Sequence, residues 1–285
     1  MLTRQSSRLL TRFLLFSLLL TAHASVGSAH PRLITAAIDH TATLLLDGRT
    51  LVAGGVSAGS ASPAAHFYLP GALHAQPGPA MAEARSRHTA TLLLTGEVLV
   101  VGGSGDNSVA LATTERFTPA PDQWRPAATM SNARHGHTAT LLDNGDVLAI
   151  GGEDATGAAL DSVERYVVAQ DRWETLVPIP IARTGHTATL LPDGRVAVIG
   201  GRATAGVFST IEIFDPATRS WTTADFGLQT PRFDHTTTLR HDGQIVVAGG
   251  SDRFNQPLAS VEFVDLASGV TPGPQLLVAR SRHTA

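Results

Sequence analysis

Six histidines divide this chain into near-equal lengths: His40, His88, His137, His186, His235 and His283, separated by 48, 49, 49, 49 and 48 residues. Each of the first five opens the same phrase: a threonine-rich stretch, an apolar run, a turn pair, a second apolar run and Gly-Gly. The turn pair follows its histidine by seven residues in every copy: Asp47-Gly48, Thr95-Gly96, Asn144-Gly145, Asp193-Gly194 and Asp242-Gly243. The glycine pair follows by fourteen: Gly54-Gly55, Gly102-Gly103, Gly151-Gly152, Gly200-Gly201 and Gly249-Gly250. A period of about fifty residues marks an array or ring of small units, each too small to bury its apolar faces alone. The rigid offsets have a physical cause. Asp-Gly and Asn-Gly favour a two-residue hairpin turn because they accept positive φ. A slip of one residue in such a hairpin would turn every side chain to the wrong face.

The flanking segments read as strands. Thr89 to Leu94 leads into a turn and Val98 to Val101 leads out, both apolar or β-branched on successive residues. Strands without polar alternation are buried on both faces. A third strand follows a polar loop: Thr114–Phe117, Val163–Tyr166, Ile211–Phe214 and Val261–Val264, with Ala65–Tyr68 in the first copy. A fourth, short strand carries Trp124, Trp173 or Trp221, each 35 or 36 residues past its histidine. Four strands per unit, with two apolar faces per sheet, describe the blades of a β-propeller.

Gly-Gly after an apolar strand, the Glu-x-Tyr strand of Glu164 to Tyr166 and the later Trp173 make the chain resemble the Kelch-repeat proteins, in the bacterial form grouped with the galactose oxidase propeller. Residues 134–182 carry the clearest copy, and the resemblance extends over about residues 38–285. It implies an all-β propeller of four-stranded blades. Copies start at about 40, 88, 137, 186 and 235, with a truncated sixth at 283, so the expected ring is incomplete.

Residues 1–24 read as a separate object. Arg4, Arg8 and Arg12 precede an apolar stretch from Phe13 to Leu20, and Ala22-His23-Ala24 offers a small-x-small cleavage site. That is the pattern of a secretory signal peptide, and the stretch falls short of the roughly twenty residues that span a bilayer. The expected location is therefore secreted, periplasmic or cell-surface, with residues 25–37 leading into the propeller. Cleavage removes the three arginines and takes the formal charge from −3 to −6. No later segment is apolar enough to cross a membrane. All 21 basic residues are arginine, and none clusters into a nucleic-acid footprint.

The composition excludes some chemistry. With no cysteine there is no disulfide, no thiolate metal site and no thiol nucleophile. Galactose oxidase chemistry needs a Tyr joined to a Cys, so the resemblance does not bring the copper radical with it. No Gly-x-Ser-x-Gly elbow, phosphate-binding loop or His-Glu-x-x-His occurs. The recurring histidines stand one per blade. Stacked sheets lie about 10 Å apart while metal–nitrogen bonds are near 2 Å. His40, His88, His137, His186 and His235 are thus expected to hydrogen-bond backbone between strands or blades, and no metal or cofactor is expected. His135 and His241 fall outside the repeat and are expected at the surface. Arg85, Arg134, Arg183, Arg232 and Arg280 stand three residues before their histidines, with Ala37 in the first copy. Glu115, Glu164, Glu212 and Glu262 also recur, which predicts Arg–Glu pairing in the scaffold.

What differs between copies speaks to function, because sites live on loops grafted to a scaffold. The loops after Gly-Gly vary, and in a ring they gather on one rim. Asp106, Glu153, Asp154, Arg202, Asp252 and Arg253 are the candidate ligand-binding residues there. Ser104–Ser108 and Ser251–Asn255 lack the full spacing of a calcium loop. The expected function is a secreted binding module presenting these loops to a protein or glycan partner, with no catalytic residue assigned. The alternative is a carbohydrate-active enzyme on the same scaffold.

Overall fold

The computed structural model describes residues 37–72 and 74–284. The signal-peptide reading of 1–24 lies outside the described residues. Within them the chain forms five four-stranded antiparallel sheets in succession. Blade 1 is Thr41–Leu44, Thr50–Ala53, Ala65–Tyr68 and Gln76–Pro77. Blade 2 is Thr89–Leu92, Val98–Val101, Thr114–Pro119 and Asp122–Ala127. Blade 3 is Thr138–Leu141, Val147–Ile150, Val163–Val167 and Arg172–Leu176. Blade 4 is Thr187–Leu190, Val196–Ile199, Thr210–Asp215 and Ser220–Gly227. Blade 5 is Thr236–Leu239, Ile245–Ala248, Val261–Asp265 and Gly269–Pro272.

In each blade the strands pair in chain order. The first strands of successive blades touch one another, so they stand innermost about a common axis and the tryptophan strands lie outermost. The second strands of blades 2, 3 and 4 are fully buried at every position. Their alternate side chains serve two neighbours. Val147 and Ala149 pack with Leu99 and Val101 of blade 2, while Leu148 and Ile150 pack with Val196 and Val198 of blade 4. Four such cores join the blades in series, and no core cluster among the described residues joins blade 5 to blade 1.

The hairpin turn departs from the sequence expectation. Leu142 N–H donates to Asp146 O and Gly145 N–H donates to Leu142 O, a pattern found in all five blades. Only the glycine of each turn has positive φ, 88° at Gly145. A two-residue type I′ turn would need positive φ at both central residues. These are three-residue loops closed by a left-handed glycine.

The repeated residues are the joints between blades. His137 is buried, and its Nε2 lies 3.1 Å from Thr89 Oγ1 of the preceding blade. The same contact recurs as Thr41–His88, Thr138–His186, Thr187–His235 and Thr236–His283. The expectation of backbone partners is thus corrected. The partner is a threonine hydroxyl, while His40 turns to backbone, through Nδ1 to Ala37 O. Nδ1 of His88, His137, His186 and His235 meets no partner. Placing the proton on Nε2 spares a buried N–H without an acceptor, and Nε2–H then donates to threonine. At the outer edge, the indole N–H of Trp124, Trp173 and Trp221 donates to Pro79, Ala128 and Val177 carbonyls of the segment leaving the blade before.

The recurrent arginines and glutamates pair in blades 2 to 5. In blade 3, Arg134 donates to Gly151 O, Ser162 O and Glu164 Oε1 at 2.9, 2.9 and 2.8 Å. Its own carbonyl accepts from Gly103 of blade 2, so one residue ties two blades.

The glycine pair leaves room for this joint. Gly152 has φ 99°, and a Cβ there would stand 2.6 Å from His135 O and 2.9 Å from His137 Cβ. Gly157 has φ 82° in an open loop, with nothing within 4 Å. Gly157→Ala isolates the left-handed backbone penalty of about 1–2 kcal/mol. Gly152→Ala adds the clash, for an expected loss of roughly 3–5 kcal/mol. Urea denaturation of both variants checks this, and equal losses would show that the close approach carries no weight.

Candidate functional site

The start of each inner strand and the loop after each Gly-Gly meet at one end of the axis. The residue two before each histidine bridges the residue after each Gly-Gly: Ile38 with Val56, Ser86 with Ser104, His135 with Glu153, Thr184 with Arg202, Phe233 with Ser251. Between bridge and histidine stands one left-handed residue per copy: Asp39, Arg87, Gly136, Gly185, Asp234 and Arg282, with φ of 51–62°. They link blade to blade through backbone. Arg87 N–H donates to Asp39 O, Gly136 to Arg87 O, Asp234 to Gly185 O and Arg282 to Asp234 O, at 2.8–3.2 Å. Glycine fits such a conformation without penalty, and two copies use it. The other four carry charged side chains there, at a cost in backbone strain that often marks functional positions.

The result is a collar whose charges alternate by blade. Asp39 of blade 1 is followed by Arg87, Glu153, Arg202, Asp234 and, at the sixth copy, Arg282. Glu153 is central, lying 3.7 Å from Arg87 Nη2 and 3.8 Å from Arg202 Nη2. His135 Nδ1 lies 3.8 Å from its Oε2. All three separations exceed a hydrogen bond. His135 is 5% exposed and its Nδ1 has no partner. Burial holds the His135 pKa below 6.5, helped by the Arg87 charge and opposed by Glu153 and Asp154. Arg202 also lies over the buried Phe233 ring, 4.4 Å from its centroid. Arg282 Nε donates to Asp234 Oδ2 at 2.8 Å, which raises its pKa; Asp39 and Glu153 add to the effect from across the mouth.

Of the six rim residues expected from sequence, Glu153 and Arg202 come together here. The others do not join them. Asp154 and Asp252 fold back on their own loops, each accepting backbone N–H groups two and four residues on. Arg253 stacks on its neighbour Phe254. Asp106 lines a separate cleft of about 550 Å³ with Ser60, Ser86, Ser104, Asn107 and Ser108. His135 is not at the surface, as expected, but buried, because the strand bridge to Glu153 draws it under the loop. His241 is exposed. Sequence reasoning missed Asp39, Arg87, His135, Asp234 and Arg282. Their signal was present: positions just before an invariant histidine that change from copy to copy. No group of three His, Asp or Glu among the described residues could hold a metal ion. No helix among them is long and apolar enough to cross a membrane.

Comparison with known proteins agrees with this architecture. The model of the KLHDC2/KLHL20/DRC7 Kelch-repeats domain matches residues 87–270, well over half of the chain. The solved structure of YjhT is similar with a TM-score of 0.67 and 16% identity, covering 84% of each chain. At that identity the likeness speaks for the fold alone. No curated protein matches. Blade sheets, repeat register and family model together place this chain in the Kelch-repeat family of β-propellers.

Proposed function

We propose that this protein is an exported binding module that holds a protein or glycan partner on the face surrounding the axial mouth. Kelch propellers are typically interaction modules, and export is the reading of the N-terminal segment. One observation carries the proposal. The copies keep the residues that join blades, namely the histidine, threonine and glycine pair and, from the second copy on, the arginine, and vary those that meet at the mouth. A structural ring needs sameness at its joints; only recognition needs a different residue from each blade.

The test is a screen of the purified chain against glycan and peptide arrays, beside two variants. The triple change Arg87→Ala, Glu153→Ala and Arg282→Ala strips the mouth. The change Asp193→Ala alters an exposed turn at the opposite end. Partner binding is expected to fall at least tenfold in the first and to persist in the second, as buried-centre residues dominate interfaces. Binding kept by the mouth variant would overturn the proposal.

A further inference from the structure

We propose that the notch formed by Glu153, His135, Arg87 and Arg202 is a site for a neutral, hydroxyl-rich ligand, a sugar or polyol. This rests on reading the mouth as the binding face, and names the chemistry it takes.

The geometry leaves the notch unsatisfied. Glu153 is largely buried, yet the nearest nitrogens of Arg87, His135 and Arg202 stand 3.7–3.8 Å from its carboxylate. His135 Nδ1 is buried, 3.8 Å from the same carboxylate and without a hydrogen-bond partner. A buried polar group left in that state costs free energy unless a water or ligand atom completes it. The notch thus offers a carboxylate acceptor flanked by guanidinium donors, with gaps that ask for a bridging group.

The charges say which group. A bare carboxylate or phosphate drawn to Arg87 and Arg202 would meet Glu153 between them. An ammonium drawn to Glu153 would meet both arginines. Neighbouring charges of both signs act on the notch, Arg282 on Glu153 and Asp154 on His135, so neither sign dominates there. A hydroxyl escapes both repulsions, because it donates to the carboxylate through O–H and accepts from guanidinium through oxygen. Two hydroxyls on adjacent carbons could use both Glu153 oxygens, one toward each arginine. Other blades do not repeat the constellation: the pair at His135 and Glu153 is Ser86 and Ser104 in blade 2 and Thr184 and Arg202 in blade 4.

The experiment titrates the full chain with glucose, galactose and mannitol, and with glucuronate and glucosamine as charged counterparts, by calorimetry and by NMR of the His135 imidazole. At least one neutral probe is expected to saturate and to shift His135. Glu153→Gln should weaken it about tenfold or more, the usual scale for losing a hydrogen bond to a charged group. Arg202→Gln, at a position 36% exposed, should weaken it as well, with melting curves to check that both variants are folded. The inference fails if no neutral probe saturates, if a charged counterpart binds more tightly, or if both variants bind as the parent does. A macromolecular partner still captured at the mouth in those cases would leave the broader proposal standing and remove only this one.

Discussion

Glu164→Gln is expected to destabilise the fold by about 3–5 kcal/mol, although it changes one atom in size and shape hardly at all. Glu164 and Arg134 both have side chains with 0% exposure. The carboxylate accepts from Arg134 Nη2 at 2.8 Å and from the backbone N–H of Ser131 and Asn132 at 2.7 and 3.1 Å. An amide there turns an NH₂ toward one of these donors and leaves a guanidinium buried without its counter-charge. Losing one partner of a buried pair costs far more than the pair contributes relative to apolar residues. The comparison is Asp193→Asn, whose Arg195 partner is 40% exposed and sits 2.7 Å away. That pair is at the surface, where ion pairs contribute well under 1 kcal/mol. Urea denaturation of the two variants should separate them by several-fold in free energy. Equal and small losses would show that the buried pair is not a joint of the scaffold. Blade 1 supplies a natural contrast. Ala37 and His66 occupy the slots of Arg134 and Glu164, so the first blade lacks this buried pair.

Much of this fold was legible because the repeat reports the same physics five times. The glycine pair, the turn glycine and the two-faced second strand each fall at a fixed offset from histidine, and the sheets follow that register in every blade. The Arg–Glu pairing was legible for the same reason: two residues of opposite charge recurring together. Partners that cross from one blade to the next were not. The histidine was expected to meet backbone, yet it meets a threonine 47 or 48 residues earlier, and nothing local in sequence distinguishes the two. The site was half legible. Loop variation pointed to Glu153 and Arg202, but variation in a solvated loop such as Asp252–Gln256 looks the same on the page. What separates them is contact: Glu153 lies 3.7 and 3.8 Å from arginines of both neighbouring blades, whereas Asp252 bonds its own loop. His135 was misplaced because histidines outside a repeat are usually exposed, whereas here the bridge to Glu153 covers it.

Acid should unfold this protein early and steeply, and the histidine joints are the reason. Burial, with the nearby Arg85, Arg183 and Arg232 charges adding to it, holds the pKa of His88, His186 and His235 down to about 3. His137 lies well below 6.5 for the same causes. In the unfolded chain these imidazoles protonate at about 6.5. Below that pH the unfolded state therefore binds more protons than the folded one, and stability falls as pH falls. It is fully present above about 6.5 and is lost progressively toward about 3. Each histidine contributes about 1.4 kcal/mol per pH unit once the unfolded chain is protonated, so four contribute roughly 5–6. Against the 5–15 kcal/mol that ordinarily holds a domain together, one to two units suffice. The melting temperature should accordingly be flat near neutrality and collapse between about pH 6 and 4. His186→Gln should lower stability at pH 7, because it disturbs the contact with Thr138. It should also flatten the acid slope by somewhat less than a quarter, because one fewer site takes up a proton on unfolding while His135 and the other joints still do. Folding free energies measured by urea at several pH values give both numbers. A slope the same in His186→Gln as in the parent, or stability unchanged from pH 7 to 5, would mean that the buried histidines do not set the response to acid.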